Sequence, residues 1–144
     1  MGQKFVVGNK MITVLFVCVH NAGRSQMAEA IFNRLAGGKA MAVSAGTAPA
    51  DKVNPVVIEA MKEIGFDISQ NKPKKMTVAM IEKADRMITM GCGDNAGGLC
   101  PAGYLETEDW SLDDPAGKPI ETVRRIRDEI ELKVKSLIAQ YGIK

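Results

Sequence analysis

Cys18 and Arg24 stand six positions apart in CVHNAGRS, a run of small and polar residues between an apolar stretch and an amphipathic one. A thiol in a loop that leads into a helix meets converging backbone N–H groups and the positive end of the helix dipole. That setting holds a tetrahedral oxyanion and lets a cysteine react as its thiolate. Val19, His20, Asn21, Ala22, Gly23, Arg24 and Ser25 are the residues that would form the cradle. Cys18 would attack the bound anion, and Arg24 would give its equatorial oxygens two parallel hydrogen bonds, where a lysine offers only a point charge. Asn21 tolerates left-handed backbone and Gly23 avoids crowding it. Ser25 can cap the helix and donate its hydroxyl to the sulfur. His20 reads as a solvated or packing histidine rather than a catalytic one.

Two other groups carry possible chemistry. Cys92 and Cys100 lie eight positions apart in GCGDNAGGLCP. The glycines there would let two thiols come within the Cα separation of about 4.4 to 6.8 Å that a disulfide needs. The same cysteines could equally be inert small hydrophobes or half of a metal site. Asp113-Asp114-Pro115, taken alone, reads as an ordinary turn.

The elements that must position these groups follow from hydrophobic periodicity. Met11 to Cys18 (MITVLFVC) is a continuous apolar, β-branched run, the pattern of a strand buried on both faces of a parallel sheet. From Ser25 the chain predicts a helix with Met27, Ile31 and Leu35 on its inner face, ended by Gly37. Lys39 to Gly46 predicts a second strand, and Asn54-Pro55 supplies a cap and first-turn proline for a helix running to Gly65. Thr77 to Ala84 reads as a short helix, and Asp85 to Met90 as a third strand leading into the glycine-rich cysteine segment. Ile120 to Tyr141 carries Val123, Ile126, Ile130, Val134 and Leu137 at helical spacing. The alternation predicts an α/β fold of three layers, a small, mostly parallel sheet flanked by helices, with ligands beside the strand C-termini. Residues 1–10 are polar and aperiodic and read as an N-terminal extension, disordered or appended, with 11–144 forming one domain.

Composition narrows the function classes. Nineteen basic and seventeen acidic side chains leave a formal charge of +2, too balanced for the broad basic face of a nucleic-acid binder. No apolar run reaches the roughly 18 to 20 residues of a membrane span, and the opening residues lack a secretory signal, so a cytoplasmic protein is expected. Three cysteines do not make a disulfide framework and point to free, reactive thiols.

CVHNAGRSQMAEA resembles the active-site loop of low-molecular-weight protein tyrosine phosphatases and, through QMAEA, that of the thioredoxin-coupled arsenate reductases built on the same fold. The resemblance runs from about Met11 to the C-terminus. SLDDPAGKP is similar to the family's aspartate-proline loop, which implies that Asp114 is the general acid, with Asp113 its adjacent competitor; a carboxylic acid beside a bound anion can hold its proton for that step. The resemblance further implies a relay. Cys18 attacks arsenate, Cys92 attacks the Cys18 adduct and releases arsenite, and Cys100 resolves the Cys18–Cys92 disulfide. Cys92–Cys100 is left for thioredoxin or an equivalent dithiol to reduce, with no bound cofactor.

Phosphatases of this fold usually follow the aspartate-proline pair with an aromatic wall; here Ala116 and Gly117 follow, and aromatics are 5% of the chain, which favours arsenate over phosphotyrosine. A phosphoester phosphatase and a non-catalytic oxyanion or redox sensor are the alternatives. The chain departs from the reductases at Gly23, where they often have a further cysteine, and in spacing Cys92 and Cys100 one residue wider. Some relatives bind potassium beside the loop. Asn21, Glu29 and Ser44 match that pattern, but Lys72 to Lys75 is basic where those relatives supply a carboxylate, so a lysine is expected to replace the ion's charge.

Overall fold

A computed structural model describes residues 6–7, 10–91 and 107–142. Its centre is a four-stranded parallel sheet in the order β4-β3-β5-β6, formed by β3 (Thr13–Cys18), β4 (Met41–Gly46), β5 (Arg86–Thr89) and β6 (Thr107–Asp109). β3 pairs on both sides, Cys18 opposite Gly46 of β4 and Val17 opposite Thr89 of β5. The chain leaves β3 for β4 on one side and returns to β5 on the other, so the C-terminal end of β3 lies where the winding direction reverses. Open α/β sheets leave a crevice there.

The apolar run of β3 is divided by the pleat. Val14, Phe16 and Cys18 face a core that includes Met27, Ile31 and Phe32 of α1 (Arg24–Ala36) and Val123, Ile126 and Ile130 of α4 (Ile120–Gln140). Leu15 and Val17 face the other layer, with Ala45 and Met87, under Met80, Ile81 and Ala84 around α3 (Val78–Lys83). Both faces are fully buried, which is why this strand reads as continuously apolar. Phe16 stacks edge-on to Phe32 and at 5.5 Å from the Trp110 ring, and α2 (Pro55–Lys62) completes the α1/α4 side. Asn54 caps α2 through Val56 N–H at 2.9 Å, and Thr77 caps α3.

Several expectations are corrected. Met11 does not open the central strand: Lys10–Met11 (β2) pairs antiparallel with Val6–Val7 (β1), an element the polar sequence of the extension does not predict. Leu35 lies outside the inner stripe of α1 at 37% exposure, and Ala28, Phe32 and Ala36 fill the buried face with Met27 and Ile31. Ser25 does not cap α1. The N-cap is Gly23, without a side-chain bond, and Ser25 sits inside the first turn. α2 ends at Lys62, short of Gly65, and β6 is an added strand. Gly37 ends α1 in the left-handed conformation as its sequence implies.

Candidate active site

The loop from Cys18 to Arg24 turns its carbonyls outward. The carbonyls of Cys18, Val19, His20 and Ala22 accept from the N–H groups of Thr47, Ala48, Ala50 and Asn54, at 2.8 to 3.2 Å. The Asn21 carbonyl accepts from Gln26 Nε2 at 3.2 Å, and that of Gly23 from Met27 N–H at 2.9 Å. With every carbonyl from 18 to 23 engaged away from the loop's centre, that centre is left to N–H groups and the start of α1, a concavity suited to an anion. The strap formed by residues 47–54 is a part of the site that the sequence motif does not reveal.

The orientation of the Asn21 amide beside the sulfur follows from one backbone group. Lys74 N–H can only donate, and it donates to Asn21 Oδ1 at 2.8 Å, joined there by Gln26 Nε2 at 3.0 Å. The other end of the Asn21 amide, Nδ2, therefore donates to Ser25 Oγ at 2.7 Å. Ser25 Oγ lies 2.9 Å from Cys18 Sγ and, beside the bond it accepts from Asn21, keeps a proton and a second lone pair, so it can donate to a thiolate or accept from a thiol. Asn21 N–H donates to the same sulfur at 3.2 Å. Asn21 N–H and the Ser25 hydroxyl thus both lie against the Cys18 sulfur, itself 3% exposed. Asn21 adopts φ 51°, the left-handed geometry expected of it. Gln26 and the Lys74 backbone, both absent from the sequence-based site, hold it there.

Arg24 is 6% exposed, and its Nη1 donates to the carbonyls of Met90 at 2.6 Å and Leu112 at 3.1 Å. Nη1 is thereby committed to the protein, so the Nε and Nη2 edge is the fork that remains for an oxyanion. Nη2 lies 3.8 Å from Asp114 Oδ2. The competitor Asp113 is turned to Arg125 Nη2 at 2.9 Å, whereas Asp114 lines the cavity over Cys18. Asp114 Oδ1 accepts from Ala116 N–H at 3.0 Å, which fixes the turn. Gly23 packs so closely on this loop that a Cβ there would lie 2.7 Å from Pro115 Cγ.

The cavity measures about 340 Å³ and is lined by Cys18, Arg24 and Asp114 together with aliphatic walls from Ala22, Val53, Pro55 and Pro115. His20 is exposed at its rim. Cys92 and Cys100 lie outside the described residues.

The potassium pattern is met by protein charge. Glu29 Oε1 accepts from Ser44 Oγ and lies 3.6 Å from the Lys74 ammonium, while Asn21 Oδ1 already takes two N–H donors. An ammonium beside the carboxylate and an engaged amide oxygen do not fit a further cation.

Comparison with known proteins accords with this geometry. A putative arsenate reductase of Halobacterium salinarum is 40% identical over 132 residues, covering 88% of this chain and 91% of the relative. A solved arsenate reductase in its phosphate-binding state superposes with a TM-score of 0.78 at 33% identity, over 91% of this chain and 99% of that one. A thioredoxin-dependent arsenate reductase of Corynebacterium glutamicum superposes with a TM-score of 0.77 at 37% identity, over 94% of this chain and 64% of that one. Residues 13–143 match the model of the low molecular weight phosphotyrosine protein phosphatases, and the chain belongs to that family.

Proposed function

We propose that the protein reduces arsenate to arsenite with Cys18 as nucleophile. The observation that carries this reading is the buried Cys18 sulfur, met by Asn21 N–H and the Ser25 hydroxyl at the floor of a cavity that also holds Arg24 and Asp114. The names of the similar proteins support arsenate as the anion.

Arsenate in the cradle presents arsenic to the Cys18 thiolate. The sulfur–arsenic bond forms as an oxygen leaves, protonated by Asp114 and departing as water. The Arg24 fork stabilises the remaining oxygens. Cys92 thiolate then attacks Cys18 Sγ. The electron pair of the sulfur–arsenic bond passes to arsenic, which leaves as As(III) in arsenite, and two thiols have become the Cys18–Cys92 disulfide. Cys100 attacks Cys92, freeing Cys18 and leaving Cys92–Cys100 for reduction by an external dithiol such as thioredoxin.

A coupled assay with thioredoxin, thioredoxin reductase and NADPH tests this. Arsenate-dependent NADPH oxidation is expected, absent in Cys18→Ser and reduced to at most a single turnover in Cys92→Ser. Absence of arsenate-dependent oxidation in the unaltered protein, with a competent control enzyme present, overturns the reading.

One observation favours a second activity. The aliphatic cavity is larger than an inorganic anion needs, and none of its described lining residues is Phe, Tyr or Trp. Slow hydrolysis of phosphoesters with slim, non-aryl leaving groups would use Cys18, Arg24 and Asp114 alone. It would survive Cys92→Ser and Cys100→Ser.

A further inference from the structure

Gln26 is a polar side chain in the first turn of α1, fully buried. Its Nε2 faces three acceptors: Asn21 Oδ1 at 3.0 Å, the Asn21 carbonyl at 3.2 Å and the Lys72 carbonyl at 3.4 Å. Backbone carbonyls can only accept, so the nitrogen is the end of the amide turned to them, and Oε1 accepts from Asn71 Nδ2 at 3.2 Å. One side chain thus joins the loop at residue 21, through both its backbone and its side chain, to residues 71 and 72. Removing it would leave buried acceptors without a donor.

The residue that Gln26 holds is under conformational demand. Asn21 adopts φ 51°, which a non-glycine residue keeps only where its surroundings over-determine it. In that conformation its N–H lies 3.2 Å from Cys18 Sγ, and its Nδ2 donates to Ser25 Oγ, the other group against the sulfur. The segment behind Gln26 is itself braced. Gly46 N–H donates to the Lys74 carbonyl at 2.8 Å and Met76 N–H to the Gly46 carbonyl at 2.9 Å, which ties it to the end of β4. The rest of the cradle has separate supports. Arg24 is held by the Met90 and Leu112 carbonyls, and the carbonyls of Cys18, Val19, His20 and Ala22 by residues 47–54.

We propose that Gln26 is a positioning residue for attack by Cys18: by keeping Asn21 left-handed, it places Asn21 N–H and the Ser25 hydroxyl against the sulfur. This rests on the reading of Cys18 as the nucleophile and on no later step, and it holds whichever oxyanion is attacked. Gln26 touches no reacting atom. Its loss leaves the anion's seat in place and displaces the groups that meet the sulfur, so reactivity falls where affinity does not.

The test separates the sulfur from the seat. In the full-length protein, the rate of Cys18 alkylation by iodoacetamide at neutral pH, read by peptide mass spectrometry, reports the sulfur. Protection of Cys18 by inorganic phosphate reports the cradle. Gln26→Met fills a similar space without a donor, and is expected to slow alkylation about tenfold while the protection midpoint stays within about threefold. In an Asn21→Ala background the same substitution should cost no more than about twofold, because the residue through which Gln26 acts is gone. A role in packing alone would give the same loss in both backgrounds. If a urea titration shows Gln26→Met unfolded, Gln26→Asn, which keeps the amide but stops one methylene short, is read by the same two comparisons and the same limits. Unchanged alkylation in the folded variant, an equal loss in both backgrounds, or loss of alkylation and protection together overturns the proposal. Cys18 of the unaltered protein reacting no faster than free cysteine, with phosphate or without, would instead remove the reading on which it rests.

Discussion

Arg24 Nη1 donates to the Met90 carbonyl at 2.6 Å, so the guanidinium that lines the cavity over Cys18 also holds the end of β5. Lysine could keep the charge but could not serve both partners with a planar fork. Arg24→Lys is expected to lower kcat/KM for arsenate by about a hundredfold or more. It should also destabilise the fold by about 1–3 kcal/mol, because the Met90 and Leu112 carbonyls lose their donor. Steady-state kinetics and a urea midpoint check the two effects separately.

Ser25 holds its hydroxyl 2.9 Å from the sulfur, where it can donate to a thiolate. Ser25→Ala removes it and leaves Asn21 Nδ2 without its acceptor. Alkylation of Cys18 by iodoacetamide at neutral pH is expected to slow about tenfold. Peptide-resolved mass spectrometry distinguishes Cys18 from the other thiols, and an unchanged rate would show that Asn21 N–H suffices.

Gly23 is a contact surface as well as a turn. Gly23→Ala drives a methyl to 2.7 Å from Pro115 Cγ, within the loop that carries Asp114. Overpacking of this kind costs about 1–3 kcal/mol. The rate should fall more than the affinity, since the acid is displaced while the cradle's strap from residues 47–54 persists. Phosphate protection of Cys18 alongside kcat gives the comparison.

Much of this arrangement is legible in the residues and some of it is not. The buried strand, the loop and the helix of CVHNAGRS are visible because a two-faced apolar run followed by Asn, Gly, Arg and Ser has few other physical solutions. The role of Ser25 is only half visible. A serine near a helix start suggests a cap, and only the folded loop seats its hydroxyl between Asn21 Nδ2 and the sulfur. Gln26 escapes notice because it resembles an ordinary helical residue, and the Lys74 N–H because it belongs to no side chain, whereas the Lys74 ammonium beside Glu29 is the lysine expected from the basic run. β6 is three residues long and polar, TED, and exists through pairing with β5 rather than through any preference of its own. Leu35 follows helical spacing yet misses the core, because one stripe at i, i+4 drifts from the packed face by the third turn.

Glu63 links α2 to α4 through Arg124 at 2.7 Å and Arg127 at 2.9 Å. Hydrogen bonds from Arg124 lead the effect, resisted by desolvation and joined by Arg127, and they lower its carboxyl from 4.5 to about 2. A depressed folded value means stability that is fully present above the unfolded value and lost as pH falls from about 4.5 through about 2. Glu63→Gln should therefore reduce the drop in melting temperature between about pH 5, above that window, and about pH 2.5, most of the way through it. Parallel thermal scans of both proteins measure it, and equal drops would assign the acid sensitivity elsewhere.

β3 is hydrogen-bonded to a neighbour along each edge, and its last residue is Cys18. Amide hydrogens of such a strand exchange only when a large part of the molecule comes apart. The sulfur is thus mounted on the segment slowest to open. Denaturation of the central sheet and loss of the Cys18 cradle should therefore coincide.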